Sequence, residues 1–157
     1  MPRPFVRSTS SFWAQTLTQD LVHLARSLQL DTLEAAWGQA VQAPRAEDAG
    51  LYATAIDQLC EHDMASRALG LASAMIEALA AKNEINAALE LGFRVMRRSA
   101  HNDALAKTVA TLIENRYGGE DWFKVLHGRA GLAAATTVTA ILEFDRLRRF
   151  TKGYVVY

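Results

Sequence analysis

Shifting the middle of the chain along itself by about twenty residues superimposes apolar positions. Leu51, Ile56, Leu59, Ala68, Leu69 and Leu71 fall on Leu71, Ile76, Leu79, Ala88, Leu89 and Leu91. One helix and the turn that reverses it occupy about twenty residues, so this register predicts successive antiparallel helices of equal length, or helix hairpins of about forty residues. Tetratricopeptide units run to about 34 residues and HEAT units to about 40 to 47, which places the spacing nearer the latter. An irregular bundle of similar-length helices satisfies the same pattern, and both arrangements put neighbouring helices antiparallel.

Helical punctuation extends the pattern in both directions. Ser10 and Ser11 precede a first run with Phe12, Leu17, Leu21, Leu24 and Leu28 at helical spacing. Asp31 stands three residues before Glu34, the spacing of a capping box, ahead of Leu33, Ala36, Trp37 and Val41. Beyond Pro44 a third helix is marked by Leu51, Ala55, Ile56 and Leu59, and Asp63 is placed to cap a fourth. From Met64 to Ala81 apolar or small residues cover nearly the whole circumference, which predicts that this helix is the central, most buried element. Asn83 opens a fifth helix with Ile85, Ala88, Leu89, Gly92, Val95 and Met96 inward and Glu90–Arg94 as an i,i+4 pair. Asn102 opens a sixth, with Leu105, Val109, Leu112 and Ile113 inward, which Gly118 and Gly119 close as a left-handed cap would. Trp122, Phe123, Val125 and Leu126 mark a seventh helix, and an eighth runs from about Ala133 through Val138, Ile141, Leu142, Leu147 and Phe150.

The expected fold is therefore all-α: about eight helices stacked as antiparallel hairpins, in a tetratricopeptide- or HEAT-like array or a bundle. Residues 1–9 read as a flexible arm and 10–150 as the helical domain. Residues 151–157, Thr-Lys-Gly-Tyr-Val-Val-Tyr, read as a turn leading into a short β-like tail or the start of a further module.

Half of the 157 positions are apolar, enough for one domain with its own core. No run reaches the roughly 18 apolar residues of a membrane span, and the first residues lack the apolar block of a secretory signal, so a cytoplasmic protein without a membrane partner is expected. Cys60 is the single cysteine, which excludes an internal disulfide and a multi-cysteine zinc site. The zero net charge conceals an asymmetry: residues 1–90 hold 6 basic and 11 acidic side chains, and residues 91–157 hold 11 and 6.

Residues with catalytic chemistry do not assemble into a motif. Cys60 and His62, with Asp57 and Asp63 nearby, offer metal ligands or an activated thiol, but residues two apart on a helix point in different directions. Ser99, His101 and Asp103 have the types of a nucleophile, base and orienting acid, at a spacing that fits a helix-to-helix turn better than any nucleophile motif. Gly118, Gly119, Gly128 and Gly131 are not followed by the lysine and hydroxyl of a phosphate loop. No enzyme, cofactor or metal is expected. The strongest surface signal is basic: Arg94, Arg97, Arg98 and His101 in one cluster, and Arg146, Arg148, Arg149 and Lys152 in another. Either suits an anionic partner, with Trp37 or Trp122 as aromatic anchors if exposed.

Four segments, Glu114-Asn-Arg-Tyr-Gly118, Trp122-Phe-Lys-Val-Leu126, Ile141-Leu-Glu-Phe-Asp-Arg-Leu147 and Phe150-Thr-Lys-Gly-Tyr-Val-Val-Tyr157, occur in a familiar order. Together they resemble the tetratricopeptide-like helical region that precedes the Gre-type domain in some bacterial transcription elongation factors. The resemblance covers roughly the C-terminal third, and it implies a helical module that contacts RNA polymerase or an associated factor, with Gly153–Tyr157 as the first strand of a small β-module. Nothing like the Gre coiled coil or its acidic tip is present. The leading expectation is a non-enzymatic adaptor that holds another protein. A nucleic-acid-binding protein using the basic C-terminal half, and self-assembly through the Tyr154–Tyr157 edge or a helix face, are the alternatives.

Overall fold

The computed structural model describes residues 21–98, 103–130 and 137–155. Their elements are α1 (residues 21–26), α2 (Leu30–Gln42), a 3-10 turn (Ala46–Asp48), α3 (Ala49–Glu61), α4 (Ala65–Ala81), α5 (Ile85–Arg98), α6 (Asp103–Tyr117), α7 (Asp121–Ala130) and α8 (Thr137–Val155). Among the described residues there is no strand, and no helix is long and apolar enough to cross a membrane. The 1–9 arm, the predicted helix starts at Ser10, Asn102 and Ala133, and residues 156–157 lie outside the described residues.

Three of the chain reversals are built the same way. At α1–α2, α3–α4 and α4–α5 the helix ends on a residue of left-handed backbone: Leu28 (φ 57°), Asp63 (φ 60°) and Asn83 (φ 66°). In each, the following amide reaches back to the last turn, from Gln29 to the Leu24 carbonyl (3.0 Å), from Met64 to Leu59 (2.9 Å) and from Glu84 to Leu79 (2.8 Å). The left-handed residue donates as well, to Ala25, Cys60 and Ala80, so two carbonyls that the helix leaves open are satisfied at every turn.

These turns correct the expected caps. Asp63 and Asn83 are not N-caps: α4 and α5 begin two residues later, and the side chain of Met64 makes no capping bond. Asp and Asn favour both roles, since short polar side chains tolerate left-handed backbone as well as capping. Asp31 lies inside the first turn of α2, behind Gln29, so the capping box with Glu34 does not form. Gly118 and Gly119, expected as the left-handed pair, do not take left-handed φ. Gly118 is required by close approach instead, because a Cβ there would stand 2.5 Å from the Glu114 carbonyl oxygen.

Short turns make consecutive helices fold back on each other, and the contacts follow a regular order. α3 packs on α4, α4 on α5 and α5 on α6, while α2 also reaches α4, α3 reaches α5 and α4 reaches α6. α8 closes the far end against α5, α6 and α7. Trp37 of α2 is buried edge-on to Tyr52 of α3 (5.7 Å between centroids), and its Nε1–H donates to the Leu71 carbonyl of α4 (2.8 Å). Trp37 is therefore a core residue and not a surface anchor.

The most buried helix is α5, not α4. Seven residues of α5 are buried: Ala88, Leu89, Leu91, Gly92, Phe93, Val95 and Met96. On α4 the buried set is Ala68, Ala72, Met75, Ile76 and Leu79, and Leu69 and Leu71 are only half-buried. Alanine makes α4 apolar all round without bulk on its outer face, whereas α5 touches α3, α4, α6 and α8. Gly92 permits the approach of α6: a Cβ there would lie 2.8 Å from Val109 Cγ2.

The predicted β-like tail is replaced by helix. α8 runs to Val155, so residues 151–155 are helical where a turn and strand were expected. A lone strand leaves its backbone donors and acceptors without a sheet to join, whereas a helix pairs them within the segment.

Two substitutions check this packing. Leu28→Gly relieves a left-handed leucine, worth about 1–2 kcal/mol, against the larger unfolded-state entropy of glycine. Urea unfolding of this variant should therefore show a net gain of about 0.5–1 kcal/mol. Gly92→Ala should lower stability by about 1–2 kcal/mol in spite of alanine's better helix propensity, because Val109 is stiff at χ1 and cannot swing away. Val109→Ala in the same chain should recover part of that loss.

Candidate interaction surface

The two basic clusters converge on α5, each through carboxylates that the sequence pattern does not single out. On one side, Arg94 and Arg98 are one turn apart on α5 and face Asp57 and Glu61, one turn apart on α3. Arg94 donates to Asp57 Oδ2 through Nη2 (2.8 Å) and Nε (3.2 Å). Arg98 reaches Asp57 Oδ1 through Nε (3.2 Å) and Glu61 Oε1 through Nη2 (3.1 Å). The Asp57 and Glu61 hydrogen bonds hold the Arg98 pKa above its ordinary value. Arg94 thus pairs across helices with Asp57, in place of the expected contact with Glu90.

On the other side α8 supplies Asp145, whose side chain is 5% exposed. Three guanidiniums surround it. Arg148 donates to Oδ1 (3.0 Å), Arg149 contacts Oδ2 (3.1 Å) and Oδ1 (3.3 Å), and Arg97 of α5 contacts Oδ2 (3.3 Å). Two of these four contacts are hydrogen bonds, both to Oδ1, and the two to Oδ2 are ion pairs. Glu90 adds an α5 carboxylate to Arg148 at 3.2 Å.

Arg148 lies over the Phe93 ring, 5.1 Å from its centroid, and its buried Nε has no hydrogen-bond partner among the described residues. Burial opposes its charge. The Asp145 hydrogen bond and the neighbouring Glu90 and Asp145 carboxylates outweigh that effect and leave its pKa raised. Arg146 pairs with Glu143 on the outer face of α8, and that hydrogen bond lowers the Glu143 pKa.

Below the arginines is an aromatic layer centred on Phe144. Its ring lies 5.5–6.4 Å from those of Phe93, Tyr117, Trp122 and Phe123, joining α5, α6, α7 and α8. Trp122 stacks on Phe144 and is half-buried, which makes it part of this layer.

All six described candidate arginines, Arg94, Arg97, Arg98, Arg146, Arg148 and Arg149, therefore carry a carboxylate partner within the chain. His101 lies outside the described residues, and Lys152 is placed on α8 by its backbone alone. Sequence reasoning named Asp57 only beside Cys60 and missed it, Glu61 and Asp145 as partners of the arginines. Their spacing was visible, since Asp145 precedes Arg148 and Arg149 by three and four residues and Asp57 precedes Glu61 by four.

Cys60 is half-buried on α3, and desolvation raises its pKa, so the thiolate that reacts or binds metal is disfavoured. His62 falls in the turn beyond α3, and no metal-type group of three or more His, Cys, Asp or Glu occurs among the described residues. Ser99 and His101 lie outside them, and Asp103 begins α6.

No protein-family model, no curated protein and no solved structure matches the chain.

Neutralising Asp145 tests its role directly. Asp145→Asn keeps the shape and removes the charge from beneath three arginines, a loss of about 3 kcal/mol for one partner of a buried pair. A thermal melt should fall by roughly 6–12 °C in a domain of this size. An unchanged melting temperature would mean that the arginines do not depend on this carboxylate.

Proposed function

We propose that this chain is a non-enzymatic helical-repeat adaptor, which holds a protein partner against its α5–α8 end. The contact order carries this reading: each helix from α2 to α4 touches the next but one, and three equivalent turns link the hairpins. Stacking of this kind makes a stiff platform on which side chains from separate helices are held in register. Arg97 and Arg149, from different helices on one buried carboxylate, are such a pair.

The partner that fits the resemblance is bacterial RNA polymerase or a factor bound to it. Three of the segments that carry the likeness lie on α6, α7 and α8, and contribute Tyr117, Trp122, Phe123 and Phe144 to one aromatic layer. Nucleic-acid binding is the second reading, favoured by the excess of basic over acidic residues after position 90. Glu61, Glu90 and Glu143 weigh against it, because they put exposed negative charge among the arginines.

Immobilised chain should retain purified bacterial RNA polymerase core at low salt and keep most of it at high salt. Failure to retain any polymerase subunit would remove the transcription reading. Salt-labile recovery of nucleic acid alone would favour the second one, since phosphate contacts release counterions.

A further inference from the structure

The pair of exposed arginines at the α5–α8 junction has its counter-charge beneath the surface. Arg97 and Arg149 side chains are 40% and 53% exposed, and both contact Asp145 Oδ2, at 3.3 and 3.1 Å. Two guanidiniums anchored on one oxygen are close neighbours whose positions are already fixed. Arg97 makes this contact through Nη2, and a guanidinium carries five N–H donors in a rigid fork, more than one carboxylate oxygen takes up. Like charges held together in this way favour an incoming anion.

The extent of that field limits the occupant. Glu90, bound to Arg148, and Glu143, bound to Arg146, have side chains 56% and 41% exposed. A continuous phosphate backbone crossing the junction would meet these carboxylates as well as the arginines. A partner with one or two discrete carboxylates would not.

We propose that Arg97 and Arg149, oriented by Asp145, form a carboxylate clamp for an acidic segment of a partner protein. This rests on the adaptor reading and adds the chemistry of what is held. Asp145 acts as a positioning residue: its carboxylate is covered, and its role is to hold the two guanidiniums side by side.

The probe is a fluorescein-labelled helical peptide of alanine, leucine and glutamate, with glutamates at i and i+4, titrated with full-length protein at low salt. Its partner probe replaces each glutamate with glutamine, and a labelled DNA duplex reports on polyanion binding. Wild-type protein should bind the glutamate peptide at least tenfold more tightly than the glutamine peptide or the duplex. Arg97→Gln with Arg149→Gln should weaken glutamate-peptide binding about tenfold, while Arg67→Gln, an exposed arginine paired with Glu34 across α2 and α4, should leave it unchanged. Far-ultraviolet circular dichroism and a melt establish that each variant is folded, and the single variants Arg97→Lys and Arg149→Lys, which keep charge but lose the fork, should give intermediate losses. Equal binding by wild type and the double variant, equal binding of both peptides, or tighter binding of the duplex would each overturn the clamp. Polymerase retention that persists in the double variant would sink the clamp and leave the adaptor reading standing. Loss of retention by wild type itself would remove the transcription reading without touching the peptide result.

Discussion

Helix α5 is the constraint from which the rest of the structure follows. It is packed on four sides, by α3, α4, α6 and α8, and one of those approaches depends on the missing side chain of Gly92 opposite Val109. A close-packed interior has no slack for an added methyl at such a crossing, so α5 and α6 are held at a separation that only glycine permits. Once α5 is placed, its polar edges determine which neighbours it accepts. Arg94 and Arg98 match the carboxylates of α3, and Glu90 and Arg97 match the charges of α8.

These pairings also explain the lopsided charge of the chain. The acidic first part and the basic remainder meet across α5: Asp57 and Glu61 receive Arg94 and Arg98, and Glu90 receives Arg148. Much of the apparent dipole in the sequence is cancelled on folding. Exposed ion pairs add little to stability individually, about 0–1 kcal/mol, so their value on the α3 side lies in setting the register between helices. Asp145 differs because it is covered, and removing one partner from a covered group is costly even where the pair itself is not strongly favourable.

The helical class and most helix positions were legible because apolar residues recurred at helical spacing, and nothing in the physics of a single helix obscures that signal. The twenty-residue register had a concrete counterpart, since Asp63 and Asn83 sit twenty positions apart in equivalent turns, with Leu59 and Leu79 accepting the same bond. Their role was misread because Asp and Asn suit either end of a turn, and only the backbone distinguishes a cap from a left-handed residue. Leu28 carried no signal at all, as leucine has no preference for that conformation. The central place of α5 was hidden for a different reason. Alanine counts as apolar in a pattern yet fills little volume, so α4 looked more enclosed than it is. At the candidate surface the arginines were visible and their cross-helix partners were not, because ion pairs such as Arg97–Asp145 and Arg94–Asp57 join residues far apart in sequence. The terminal strand was misjudged by composition, which cannot report whether a sheet exists to receive it.

The central claim, that α5 is the element on which the others depend, is tested most directly by native-state hydrogen exchange. Amides from Ala88 to Met96 should be the slowest in the chain and exchange only through global unfolding, with the same free energy as denaturant unfolding and the same response to urea. The α4 amides should exchange no more slowly, and those of α7, packed mainly on α8, should open at lower free energy. If instead Ala68 to Leu79 form the slowest group while α5 opens in a partial unfolding step, α4 is the true centre and this account of the fold is wrong.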